Sequence, residues 1–167
     1  IAHAGVGIFV IGISLVSGFG GEHDVRLAPG QSTEMVGYEF TFVGTRHVDG
    51  PNFVAEIGDF IVREDGRQIA ELYPSKRRYN AGGQSMTEAG IDVGVTRDLY
   101  VSLGEPLTGD AWSVRIYHRP FVRWIWAGGF ISALGGLIAL TDKRYRRRRA
   151  TADKPVATDR GLTTATA

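Results

Sequence analysis

Four histidines, His3, His23, His47 and His118, are the side chains best suited to hold a metal or move a proton. Their spacing offers no H-E-x-x-H pair or comparable ligand set, so a zinc centre is not expected. The chain contains no cysteine, which removes disulfides, thiolate ligands and a thiol nucleophile. Redox chemistry would then belong to a bound cofactor or to a partner. No serine triad or pair of catalytic carboxylates stands out. Gly18, Gly20 and Gly21 follow a helical run and lead into a loop, the reverse of a strand-to-helix nucleotide turn.

His3 stands apart because it lies in a run, Ile1 to Phe19, that holds no Asp, Glu, Lys or Arg. An ionisable group inside a membrane span is costly, and its presence marks a candidate site. At about 100° per residue, His3, Gly7, Ser14 and Gly18 share one helix face. Small residues beside an imidazole leave room for a neighbouring helix or for a flat macrocycle whose iron the ring could bind. The residues alone leave both readings open. Arg115, Arg119 and Arg123 recur every four positions. Arg119 and Arg123 are candidates for an acidic-ligand or partner contact, against the simpler role of snorkelling to lipid head groups. His23, His47 and His118 read as surface or strand residues.

The elements that must position these groups follow from where the apolar residues fall. A formal net charge of +1 argues against a nucleic-acid binder. The Ile1–Phe19 run is long enough to cross a hydrocarbon core of ~30 Å. A signal peptide would need a basic leader and an A-x-A site, and neither accompanies this run. The chain opens inside an apolar stretch without methionine, which suggests a piece of a longer membrane protein. A second uncharged run, Trp124 to Leu140, is extended by Phe121, Val122 and the stem of Arg123. Its Gly128, Ser132, Gly135, Gly136 and Ala139 suggest a packing face. Trp112, Tyr117, Trp124 and Trp126 suggest an aromatic belt at its first end, and Lys143, Arg144 and Arg146 to Arg149 crowd the other. By the positive-inside rule the tail is cytoplasmic and the segment between the runs is outside.

That middle segment reads as strands. Tyr38–Val48 and Phe53–Arg63 alternate apolar and polar residues, Asp65-Gly66 marks a hairpin, and Gln68–Tyr73 answers it. Ile91–Val95, Leu99–Leu103 and Trp112–Tyr117 continue the pattern. The expected architecture is therefore two transmembrane helices, 1–19 and 120–141, bracketing a small all-β periplasmic domain, 20–119, built as an antiparallel barrel or sandwich. A basic, disordered cytoplasmic tail, 142–167, completes the plan.

Longer words in the sequence carry a family likeness. MTEAGIDVGVTRDLYVSLGEPL (Met86–Leu107), WSVRIYHRPFVRWIWAGG (Trp112–Gly129), DKRYR (Asp142–Arg146), AHAGVGIFVIGISLVS (Ala2–Ser17), DVRLAPGQS (Asp24–Ser32) and RHVDGPNF (Arg46–Phe53) occur in order. Together they resemble the C-terminal end of CcmF-type cytochrome c biogenesis proteins, from Ile1 to about Arg149.

The resemblance implies a subunit of the multi-pass haem lyase of the bacterial inner membrane. That assembly joins haem to the C-x-x-C-H thiols of apocytochrome c, as thiols add to haem vinyl groups. It further implies haem, a haem chaperone, apocytochrome c and thiol-handling lyase subunits as partners. The family's tryptophan-rich haem platform lies upstream of this chain, which is not expected to be catalytic alone. The histidine of the family's AHxGV word, similar in position to His3, is one of two axial ligands of a haem b. The other comes from an upstream helix absent from this chain. The alternative is a membrane-anchored binding or scaffold domain without cofactor.

Overall fold

A computed structural model describes residues 1–83 and 85–141, so the expectation for the tail, 142–167, lies outside the described residues. The chain begins with helix α1, Ala2–Phe19. Ten strands follow among the described residues: β1 Gly21–Leu27, β2 Ser32–Met35, β3 Tyr38–Asp49, β4 Phe53–Glu64, β5 Arg67–Leu72, β6 Ser75–Tyr79, β7 Ser85–Glu88, β8 Gly90–Val93, β9 Arg97–Pro106 and β10 Trp112–Pro120. Helix α2, Val122–Thr141, closes the order.

The strands form a sandwich rather than a barrel. One sheet runs β1-β10-β9-β8, and the other runs β2-β3-β4-β6-β7, with β5 also pairing β4. Every pairing described is antiparallel. Period-two patterning explains how each sheet finds its inner face. Along β9 and β10, Leu99, Val101, Leu103, Val114 and Ile116 are buried, while Tyr100, Ser102, Arg115 and Tyr117 between them face outward. Phe40, Phe42, Phe60 and Val62 fill the opposing face from β3 and β4, with the Phe42 and Phe60 rings stacked at 4.9 Å. Each such side chain contributes about 1.5–3 kcal/mol by leaving water.

Polar groups join the sheets at both ends. At the helix-proximal end, Arg97 Nε donates to the Tyr38 hydroxyl at 3.3 Å. At the distal end, Lys76 Nζ donates to the Gly104 carbonyl at 3.0 Å and pairs with Glu105. The Asp65-Gly66 turn has φ of 49° and 75°, the two positive values of the hairpin turn that its sequence signalled.

Trp112 is not at the first end of the second helix. It starts β10 at the end far from α2, is 8% exposed, and belongs to the sandwich core. Sequence proximity misled because an extended strand of nine residues carries the chain ~26 Å before the helix starts. Trp124 and Trp126 do lie in the first turns of α2, both exposed.

The helices grow from adjacent strands. Gly20 caps α1, its amide donating to the Val16 carbonyl at 3.0 Å, and β1 then pairs along β10 from Gly21↔His118 to Leu27↔Trp112. Beyond Pro120, Phe121 adopts a φ of 55°, and α2 turns away beside α1. Contacts of Ala2 with Gly135, Gly5 with Ser132 and Gly12 with Ile125 make the pair antiparallel.

Candidate functional site

The two helices are long and apolar enough to cross a membrane. Their burial is inverted relative to a water-soluble pair. The buried positions are Gly5, Gly12, Gly128 and Gly135, whereas Val10, Ile13, Phe130, Leu134, Leu137 and Ile138 point outward. Small residues let backbones approach where lipid, rather than water, is the solvent for the outer face. A Cβ on Gly128 would stand 2.4 Å from the Phe9 amide nitrogen, and one on Gly5 would stand 2.5 Å from that of Ser132. Ser132 Oγ donates to the Ala2 carbonyl at 3.2 Å, tying the pair together at its far end.

This contact uses one of the two faces of α1 that small residues define. Gly5 and Gly12, seven residues apart, pack on α2, and their spacing was the signal available in the sequence. His3, Gly7, Ser14 and Gly18 are all exposed on the helix surface left uncovered by α2. A Cβ built on Gly7 or Gly18 meets nothing within 4 Å. The Ser14 hydroxyl donates to the Val10 carbonyl at 2.9 Å, so it is satisfied within its own helix. The structure therefore keeps His3 on the outside of the pair, with Gly7, Ser14 and Gly18 on the same uncovered face. His3 precedes Phe19 by sixteen residues, which puts it ~24 Å along the axis from the sandwich.

On α2, Gly128, Ser132 and Gly135 form the packing face as the sequence suggested. Gly136 and Ala139 do not belong to it. A Cβ on Gly136 meets nothing within 4 Å, and Ala139 is exposed. The 3.6-residue period rotates those two positions away from α1.

The three arginines separate in the same way. Arg115, on the outer face of β10, holds Asp24 of β1 through two bonds, Nε to Oδ1 at 2.6 Å and Nη2 to Oδ2 at 3.1 Å. That fork raises the arginine's pKa and lowers that of the aspartate. Arg115 is thus a cross-strand clamp. Arg119, half-buried, lies over the Tyr117 ring at 5.2 Å, and Arg123 is exposed in the first turn of α2. Neither makes an ion pair with a carboxylate among the described residues.

The other histidines sit on strands. His23 is exposed on β1, and His47 on β3 bonds Glu56 of β4 at 2.6 Å. His118 of β10 is buried against the Tyr38 ring, and burial lowers its pKa. Among the described residues, no group of three His, Cys, Asp or Glu could hold a metal ion. His3 alone of the four lies on an apolar helix, on a face that α2 does not cover.

A β-sandwich mounted on an antiparallel pair of long apolar helices defines the class of module. Residues 18–120 match the family described as the CcmF C-terminal beta-sandwich, and the chain belongs to that family. The "Cytochrome c-type biogenesis protein CcmF" of Pseudomonas fluorescens is 51% identical over 146 residues, 87% of this chain and 22% of that protein. Its namesake in Escherichia coli K12 is 48% identical over 147 residues, 88% of this chain and 23% of the relative. The chain thus spans about a quarter of the length of the curated relatives it matches. A solved structure, "Cytochrome c Heme Lyase CcmF", superposes with a TM-score of 0.69 at 21% identity, covering 84% of this chain and 24% of the other. At that identity the likeness concerns the fold.

Proposed function

We propose that this chain is the C-terminal part of a haem lyase subunit for attaching haem to apocytochrome c, with His3 an axial ligand of a haem b. In this reading the protein sits in a bacterial inner membrane. α1 and α2 cross it, the sandwich is periplasmic and the tail cytoplasmic. The names of the relatives support the assembly role. The inverted burial of the helices and the six cations among residues 143–149 support the placement.

The observation that carries the ligand reading is the uncovered face of α1. Its neighbour packs on Gly5 and Gly12, leaving His3 exposed and the surface at Gly7 flat one turn away. A planar group fits there, because a side chain at position 7 would occupy the space that a macrocycle edge needs. His3 would give one ring nitrogen to iron and turn the other toward a hydrogen-bond partner. A second ligand would have to come from a helix outside this chain. When bound, such a haem supplies an electron that keeps the iron of the haem being attached ferrous while thiols add across its vinyl groups. α2 fixes the position of His3 by buttressing the opposite side of α1.

The sandwich acts as the docking body for the haem chaperone, apocytochrome c and thiol-handling subunits. Arg119 and Arg123 offer cations to an acidic ligand or partner close to the membrane. A cofactor-free scaffold is the competing reading.

The decisive experiment is His3→Ala in the full-length protein that carries this chain. Membranes should retain the protein while its b-type Soret absorbance falls or shifts and its haem potential changes. Unchanged spectra and potential would make His3 a packing residue and favour the scaffold.

A further inference from the structure

Two turns at the helix-proximal end of the sandwich break the polar rule for turns. The β2–β3 turn is Val36-Gly37, with φ of 51° and 80°. Gly37 takes such a value freely, but a β-branched residue does so only under strain, and Asn or Asp is the usual choice. Val36 is nevertheless 60% exposed. The β8–β9 turn carries Val95, 73% exposed and preceded on the exposed face of β8 by Ile91 and Val93. By contrast, the β9–β10 turn at the distal end is Thr108-Gly109-Asp110, with Asp110 at a φ of 56°.

The topology places the two valine tips on either side of the helix pair. β1 and β10 lead to the helices, β2 lies beside β1, and the β8–β9 turn lies beyond β10. On one side, a Cβ on Gly21, two residues after α1, would stand 2.6 Å from the Met35 methyl next to Val36. On the other, the Trp124 indole donates to the Val95 carbonyl at 3.3 Å, and the Phe121 amide donates to Thr96 at 2.9 Å. Val95 is thereby fastened to the first turn of α2, beside exposed Trp124 and Trp126. The third turn at this end, Asp65-Gly66, is polar and lies in the same sheet as the Val36 turn, on the far side of β3 from β2.

We infer that Val36 and Val95 insert into the interfacial zone of the outer leaflet, so that the sandwich rests on the lipid surface at two points flanking its helices. The inference rests on the reading that α1 and α2 span the membrane. Continuity with the helix ends identifies lipid as the occupant, because Trp124 marks the level of the membrane interface and is bonded to the Val95 turn itself. Exposed aliphatic tips beside a span lose contact with water in that zone. Two fixed points would hold the orientation of the docking body relative to the bilayer, which a pair of helices with one-residue linkers does not fully set.

The test uses single cysteines at Val36, Val95, Asp110 and Leu137 of the full-length protein, with cysteines outside this chain replaced. Each is labelled with an environment-sensitive fluorophore and reconstituted into vesicles containing lipids with nitroxides near the head group or deep in the chain. Labels at 36 and 95 should shift to the blue and be quenched by the shallow nitroxide, while the label at 110 is not. Loss of fluorescence at 137 with the deep nitroxide verifies the span itself. Quenching at 137 without quenching at 36 and 95 overturns the inference, including the case where those labels are shielded by another part of the protein. No quenching at 137 overturns the membrane reading beneath it.

Discussion

Gly128 of α2 lies so close to Phe9 of α1 that a single added Cβ would stand 2.4 Å from the Phe9 amide nitrogen. The helix pair is held at this distance by the absence of side chains, and the obstacle is backbone, which cannot swing aside. Gly128→Leu should therefore separate the helices at a cost of about 1–3 kcal/mol, the range for overpacking a close contact. Gly129→Ala, at a position open to its surroundings, is the matched control. Thermal melts of the full-length protein in detergent should show a lowered midpoint for the first and none for the second. Equal midpoints would reject the close contact.

The distal hairpin should soften as pH rises. Glu56 accepts from His47 and, with Asp49, raises the histidine's pKa above its ordinary 6.5. A raised folded-state pKa contributes stability that is fully present below the unfolded value and is lost as pH climbs through the folded one. The pair is exposed, so the effect is modest and salt-sensitive. Amide protection in β3 and β4, corrected for intrinsic exchange, should fall as pH climbs past 6.5 and become flat in His47→Gln. A variant that keeps the same pH dependence would assign it to other groups.

Arg119 and Arg123 should matter to assembly rather than to insertion. Replacing both with glutamine should lower the yield of holocytochrome c several-fold at an unchanged level of membrane protein. Normal yield would leave them as lipid head-group anchors.

Orientation can be read directly. A tag after Ala167 should be accessible only from the cytoplasmic side, and a cysteine replacing Asp65 should react with an impermeant reagent from the periplasm. The reverse pattern would overturn the positive-inside assignment.

The sequence by itself determined the local parts. Uncharged runs announced the apolar helices, and alternation announced the long strands β3, β4, β9 and β10, because both signals depend on neighbours within one turn or two. The hairpin at Asp65-Gly66 was legible for the same reason, as its dihedral demand is met by two adjacent residues. Tertiary structure alone decided what pairs with what. β6, Ser-Lys-Arg-Arg-Tyr, is too charged to read as a strand and exists because β4 and β7 supply its ladder. β1 was equally hidden, since its register rests on β10, with Asp24 reaching Arg115 across 91 positions. The pattern named one face on α1, that of His3, Gly7, Ser14 and Gly18, and left the Gly5–Gly12 face unnoticed. Only the approach of α2 assigned Gly5 and Gly12 to packing and left His3 and Gly7 on open surface, because helix contact is chosen by which backbones can come nearest.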